Sequence, residues 1–319
     1  MKICQVHPAC GLEVPPKGWG AIEKIVWEFH TNFQKLGIES EIKFATEIQP
    51  GEYDIVLCHV ANLTDILITN KIPYVYQLHD HHVYHHGKES YSYIKNKKAI
   101  DNSILSLVPA RYLVEYFGSE KVQYFSHGVD IDFYKPGNVE NKKTFLMLAN
   151  NGLGGESPGF DRKGFEYGIG LASMLGATIT VAGPNNNQNF FNEHLHTLNY
   201  VGMNLKFNPT QEECLKLYQS HEIFLHPSML EAGHPNLTML EAAACGMPII
   251  ANWELETDFH GAWRAPRDVF AMREGYLDIR SRFDVYSNNS LQTARKLSWF
   301  NRTKDLKNLF NDIIWKKFY

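Results

Sequence analysis

No run of about 18 apolar residues, the length a membrane-spanning helix needs, occurs anywhere in this 319-residue chain. The opening segment, Met1 to Cys10, holds one lysine and no small-residue cleavage pattern. The expectation is a cytoplasmic chain, neither exported nor membrane-spanning. Cysteine pairs are also missing. The five cysteines, Cys4, Cys10, Cys58, Cys214 and Cys245, are odd in number and scattered, with no CxxC spacing. That pattern speaks against a zinc ribbon or a dithiol redox centre and for reduced, mostly buried thiols. A surplus of positive charge is lacking too: the formal net charge is -4 and the sequence pI about 6.4. Nothing in that balance supports a broad basic surface for nucleic acid. Short internal repeats and low-complexity tracts are absent as well.

What is present suits a folded protein, 44% hydrophobic and 21% charged, of a length that favours two domains. Short apolar runs alternate with stretches of helical period, the pattern of parallel sheets with crossover helices. In the first half the strand candidates are Lys2 to His7, Tyr53 to His59, Tyr74 to His79 and Ile104 to Val108. Between the first two, Ile22, Ile25, Val26, Phe29, Phe33 and Leu36 share one helical face, with Gly37 placed to end the helix. The second half repeats the scheme with Thr144 to Leu148, Thr178 to Gly183, Ile223 to Leu225 and Ile249 to Ala251 as strands, and Phe165 to Leu175 and Gln211 to Ser220 as helices. The polar stretch from Gly137 to Lys143 reads as a linker, which sets expected domains at 1–137 and 138–319.

The most informative segment runs from Ser228 to Pro248. Two carboxylates, Glu231 and Glu241, flank a loop that leads into a helix beginning near Thr238 and ending at Gly246. The amides of Asn236, Leu237 and Thr238 would sit at that helix's start, where unpaired donors and the dipole favour a phosphate or a sugar oxygen. Glu241, about one turn inside, is placed to accept hydrogen bonds from a diol such as a ribose. The plainer alternative makes Leu240, Ala243 and Ala244 core and the glutamate a partner of the dipole. Asp161-Arg-Lys-Gly-Phe165 puts two cations ahead of a helix, where acids are the usual choice. Clustered His81, His82, His85 and His86 raise a metal site, although loop histidines at such spacing are commonly solvated.

Taken together, these segments resemble retaining glycosyltransferases of family four, in which a Glu, a short loop and a second Glu precede Ala-x-Ala-Cys-Gly-x-Pro. The resemblance covers most of the chain and implies an α/β fold of the GT-B kind, two Rossmann-like domains facing across a cleft. It implies transfer of a sugar from a nucleotide-diphosphate sugar to a hydroxyl acceptor, without a metal or other cofactor. Pro15 to Lys24 is similar to the family's glycine-rich loop, which makes Gly20 a donor-side position; Ala21 stands where a second glycine is usual. Tyr74 to Asp80 is similar to the strand whose terminal histidine, here His79, lies near the transferred sugar. His127-Gly-Val-Asp130 matches a structural turn, and Phe207-Asn208 the place where the base is read. Arg162 and Lys163 fall where the diphosphate is held, adjacent here rather than separated. Glu231 would orient the sugar, yet nine residues separate it from Glu241, where seven are usual in the family. The final helix resembles one that packs back onto the first domain. Two alternatives stay open: a phage-type transferase acting on hydroxymethylated DNA bases, and a non-catalytic sugar-nucleotide-binding scaffold.

Overall fold

The computed structural model describes residues 1–9, 11–17, 20–79, 82–138, 143–150, 161–185, 191, 200–229, 231, 235–252 and 259–318. The chain forms two compact units: Met1–His127 with Trp299–Tyr319, and Gly128–Glu231 with Pro235–Ser298. Each is an α/β layer structure around a wholly parallel sheet of six strands.

In the first unit the strands are β1 (Lys2–Val6), β2 (Glu39–Lys43), β3 (Ile55–Cys58), β4 (Val75–Gln77), β5 (Leu105–Val108) and β6 (Val122–Tyr124), in spatial order β2-β1-β3-β4-β5-β6. Its helices are α1 (Ala21–Lys35), α2 (Ala61–Thr69), α3 (His82–His85), α4 (Tyr91–Asn102) and α5 (Arg111–Phe117). Helix α1 buries Ile25, Val26, Phe29 and Phe33 on one face, as the periodicity requires. It stops where Gly37 takes a positive φ of 71°, a conformation glycine adopts without strain.

In the second unit the strands are β7 (Thr144–Leu148), β8 (Thr178–Gly183), β9 (Met203–Phe207), β10 (Ile223–His226), β11 (Ile249–Asn252) and β12 (Ala262–Ala265), in order β12-β11-β10-β7-β8-β9. Renumbered from β7, that order is the doubly wound one whose halves diverge between the first and fourth strands, here β7 and β10. Its helices are α6 (Phe165–Leu175), α7 (Gln211–Ser220), α8 (Leu237–Ala244), α9 (Val269–Ser281) and α10 (Phe283–Lys296). The core gathers Phe145, Met147, Phe165, Ile179, Val181, Ile223, Leu225 and Ile250, the strand residues among them sharing one face of the sheet in register. The four described cysteines, Cys4, Cys58, Cys214 and Cys245, are buried free thiols. Among the described residues no helix is long and apolar enough to cross a membrane.

The boundary expected near Gly137 falls inside the second unit, because the chain is tied there from Gly128 onward. The Val129 amide donates to the Leu297 carbonyl at 3.0 Å. Tyr134 meets the Tyr218 ring edge-on at 5.9 Å, and Gly137 lies so close to Gln219 that an added Cβ would come within 2.5 Å of it. At the other end the last helix, α11 (Trp299–Phe318), groups with the first unit. It lies against α1, Trp299 edge-on to Phe29 at 5.3 Å and Phe310 stacked on Phe33 at 6.1 Å.

Phe310 is fully buried, so Phe310→Ala is expected to destabilise the protein by about 3–5 kcal/mol through lost burial and a residual cavity. Phe300, exposed on the same helix, should change stability by about 0.5 kcal/mol or less when truncated. Urea unfolding of the two variants checks the contrast.

Candidate functional site

Ligands of open α/β sheets bind outside the carboxyl ends of the strands, where the strand order diverges. In the second unit that place is defined by the ends of β7 and β10, and Arg162, Lys163 and Glu231 meet there. After β7 comes Asn150, whose carbonyl accepts from Arg162 Nη2 at 3.2 Å. After β10 the chain continues through Pro227 and Ser228 to Glu231, whose Oε1 is the common partner of the group. Lys163 Nζ and Ser228 Oγ donate to it, Arg162 Nη1 lies at 3.4 Å and His226 Nε2 at 3.7 Å. Arg162, Lys163 and Glu231 are 4%, 7% and 7% exposed. Charges so deeply buried persist only when paired, which rules out a merely solvated basic pair at the start of a helix.

Local geometry holds the two cations in place. Asp161 caps α6, its carboxylate accepting the Phe165 amide at 2.9 Å and the Glu166 amide at 2.8 Å. Burial pushes the Asp161 carboxyl above its ordinary range, while those two amides pull it down. Gly164 has a φ of 74° and sits so near Pro227 that a Cβ would lie 2.5 Å from the Pro227 carbonyl oxygen. Only glycine lets the Arg162–Lys163 loop press this closely on the end of β10. Arg267, which the sequence did not single out, donates to the Asp161 carbonyl and covers the Tyr167 ring at 4.8 Å.

Helix α8 starts one residue earlier than expected. Asn236 is its cap, Oδ1 accepting from the Met239 amide at 3.1 Å and from Thr238 Oγ1 at 3.0 Å. Its Nδ2 therefore faces His226 Nε2, at 2.8 Å, and makes that nitrogen an acceptor. The His226 ring consequently carries no charge toward Glu231 in this arrangement. Leu237 and Thr238 form the first turn, ahead of the amide the cap satisfies. Glu241, expected to meet a diol, is 8% exposed and accepts a hydrogen bond from Tyr218 Oη at 3.0 Å. Burial, and then the Glu241 charge, raise the Tyr218 phenol well above its ordinary range, so it remains a donor. Asn208 has a positive φ of 48° just after β9 and accepts the Asn185 amide at 3.0 Å. Residues 232–234, within the carboxylate loop, lie outside the described residues.

In the first unit, Gly20 precedes α1, and its Cα is covered by Pro16, Glu23 and Leu12, each within about 3.1 Å of an added Cβ. Trp19 and Gly18 of that loop lie outside the described residues, as do Cys10, Asp80 and His81. His85 and His86 are exposed, their rings 4.8 Å apart. His79 follows β4 as the middle of three stacked imidazoles. Its Nε2 lies 3.1 Å from His59 Nδ1 and its Nδ1 3.3 Å from His127 Nε2. The ring planes are inclined by 17° and 19°. Both nitrogens of His79 are thus engaged by neighbouring rings, and His127, read from sequence as a structural turn, is part of the group.

Burial holds all three neutral. It depresses His59 to about 3 and, with Arg302 nearby, His127 to about 4; His79 is lowered well below its ordinary value by burial and its two neighbours. The unfolded chain titrates near 6.5, so between about 6.5 and 4 it binds protons the folded chain refuses. Stability is then fully present above about pH 6.5 and declines as pH falls through that window. Urea unfolding between pH 7 and 4.5 should show this, with His30 and His221, also lowered by burial, contributing. His59→Leu should reduce the slope near pH 5 by about 1.4 kcal/mol per pH unit, the equivalent of one proton.

No protein-family model matches the chain, and no curated protein does either. Solved structures do. Sucrose-phosphate synthase from Thermosynechococcus elongatus superimposes with a TM-score of 0.77 at 12% identity, covering 99% of both chains. AviGT4, a glycosyltransferase involved in avilamycin A biosynthesis, gives 0.72 at 16% identity over 99% of this chain and 98% of its own. Anabaena HepE in complex with UDP-glucose gives 0.70 at 15% identity over 98% and 100%. At such identities the likeness establishes the architecture: the chain has the α/β GT-B fold of these glycosyltransferases.

Proposed function

We propose that this protein is a retaining glycosyltransferase that moves a sugar from a nucleotide-diphosphate sugar to a hydroxyl acceptor. The observation that carries the reading is the buried convergence of Arg162 and Lys163 on Glu231 where β7 and β10 diverge. Departure of a nucleoside diphosphate builds negative charge on the leaving oxygen, and preorganised cations in a water-poor site are what lowers that barrier. Lys163 supplies a point charge and Arg162 a forked donor to the phosphates; the first-turn amides of Leu237 and Thr238, beside the Asn236 cap, add backbone donors. When phosphate takes over the cations, Glu231 turns its carboxylate to the donor sugar's hydroxyls and to the positive character at the anomeric carbon.

The acceptor hydroxyl attacks from the face the diphosphate leaves, and a donor phosphate oxygen takes its proton. Protein groups supply position and charge, and no metal is required for either. Glu241, held by Tyr218, is the carboxylate assigned to the ribose diol. The complex of HepE with UDP-glucose supports a sugar nucleotide as donor. Free, buried thiols fit a cytoplasmic setting. The net charge of -4 weighs against DNA as the acceptor.

Thermal denaturation with a panel of nucleoside diphosphates and their sugars tests the reading. One nucleotide family should raise stability, by about 2.7 kcal/mol at a hundredfold excess over its Kd; no response from any member on folded protein would overturn it. Glu231→Ala should lower kcat about a hundredfold or more while leaving nucleotide affinity within about threefold. Unchanged turnover would remove Glu231 from the reaction.

A further inference from the structure

The hydrogen positions in the stacked histidines follow from a single residue at the far end. Gln5, fully buried in β1, donates from Nε2 to the Val26 carbonyl at 2.9 Å. Its Oε1, which can only accept, faces His59 Nε2 at 3.2 Å. His59 must therefore carry its hydrogen on Nε2, and as a neutral ring it offers a lone pair on Nδ1. That lone pair, 3.1 Å from His79 Nε2, obliges His79 to donate there. His79 Nδ1 is then a lone pair in turn, and His127 Nε2, 3.3 Å away, donates to it. The series ends at His127 Nδ1, a buried nitrogen with no hydrogen-bond partner among the described residues.

We infer that Gln5 sets the order of these tautomers, and that His127 Nδ1 is a ligand-binding acceptor which takes a hydroxyl or N–H hydrogen and rejects an anionic oxygen. Gln5 acts as a positioning residue; His127 makes the contact. Three observations support the assignment. His59, His79 and His127 follow the carboxyl ends of β3, β4 and β6, the edge of a parallel sheet where ligands bind. Gln5 lies in β1 and His59 directly after its neighbour β3, the two strands between which the order β2-β1-β3 reverses. A buried acceptor is also costly to leave unmade, so a ligand that brings a hydrogen gains more here than at an exposed site. The ligand class that follows is neutral and polyhydroxylated. That it is a sugar rests on the transferase reading; the tautomer order does not.

Nitrogen-15 NMR of histidine-labelled protein tests both parts. Without ligand, all three rings should show the hydrogen on Nε2 and a bare Nδ1. A ring among them with its hydrogen on Nδ1 would overturn the order. Gln5→Leu should lose the single tautomer at His59, and retention of it would remove Gln5 from the role whatever the variant's stability. Addition of glucose or UDP-glucose should shift His127 Nδ1 as its lone pair accepts, whereas inorganic phosphate should leave it in place. A shift with phosphate, or none with either sugar, would overturn the binding assignment. Failure of UDP-glucose to perturb any resonance would count against the transferase reading itself, while the ligand-free spectrum still decides the tautomers.

Discussion

Burying a carboxylate beside a lysine and an arginine is the constraint around which the second unit is arranged. Each charge loses its hydration, and only close mutual pairing recovers it. The pairing requires that a loop entering α6 and a loop leaving β10 meet, and each feature nearby serves that meeting. Gly164 removes the side chain that would hold the loops apart. Asp161 fixes the first loop to the helix it precedes, and Ser228 and Asn150 add hydrogen bonds to Glu231 and Arg162. A phosphate arriving at this place meets cations already desolvated and already oriented, the condition under which they are most effective.

The first unit is ordered by a different chemistry. The three imidazoles at its sheet's carboxyl edge are neutral, and order among them comes from directional hydrogen bonds rather than from charge. Three imidazoles between Gln5 and a bare nitrogen form a relay in which each ring dictates the next. Burial keeps them uncharged, so the relay is acceptor-ended at any pH at which the protein is folded and neutral imidazole prevails.

Much of this was legible in the residues, and what was not has a common cause. All eight strands named from the sequence exist, each an inner strand with runs such as Ile55–Cys58 or Thr144–Leu148 that are buried throughout. The four that escaped, β2, β6, β9 and β12, are the outermost strands of the two sheets. Glu39–Lys43 and Met203–Phe207 carry polar, half-exposed residues because an edge strand has only one strand neighbour and more contact with water. Among site residues, Glu231, Lys163 and Asn236 stood out through spacing and charge. Ser228, Asn150 and Tyr218 did not, since a hydroxyl or a carbonyl acquires its role only when the chain folds it against a charge. Gln5 was hidden in an apolar strand, and His127 in what read as a turn. The boundary at Gly137 misled for a related reason: polar composition marks exposure, whereas unit membership depends on the contacts of Val129 and Tyr134 before it.

The most direct test of the central claim, that Lys163 and Arg162 form the diphosphate site, is calorimetric titration of UDP into the wild-type protein and into Lys163→Gln. Loss of one charged hydrogen-bond donor is worth about 1.5–3 kcal/mol, so the variant should bind about ten- to a hundredfold more weakly. Equal affinities in the two proteins would contradict the assignment and place the diphosphate elsewhere.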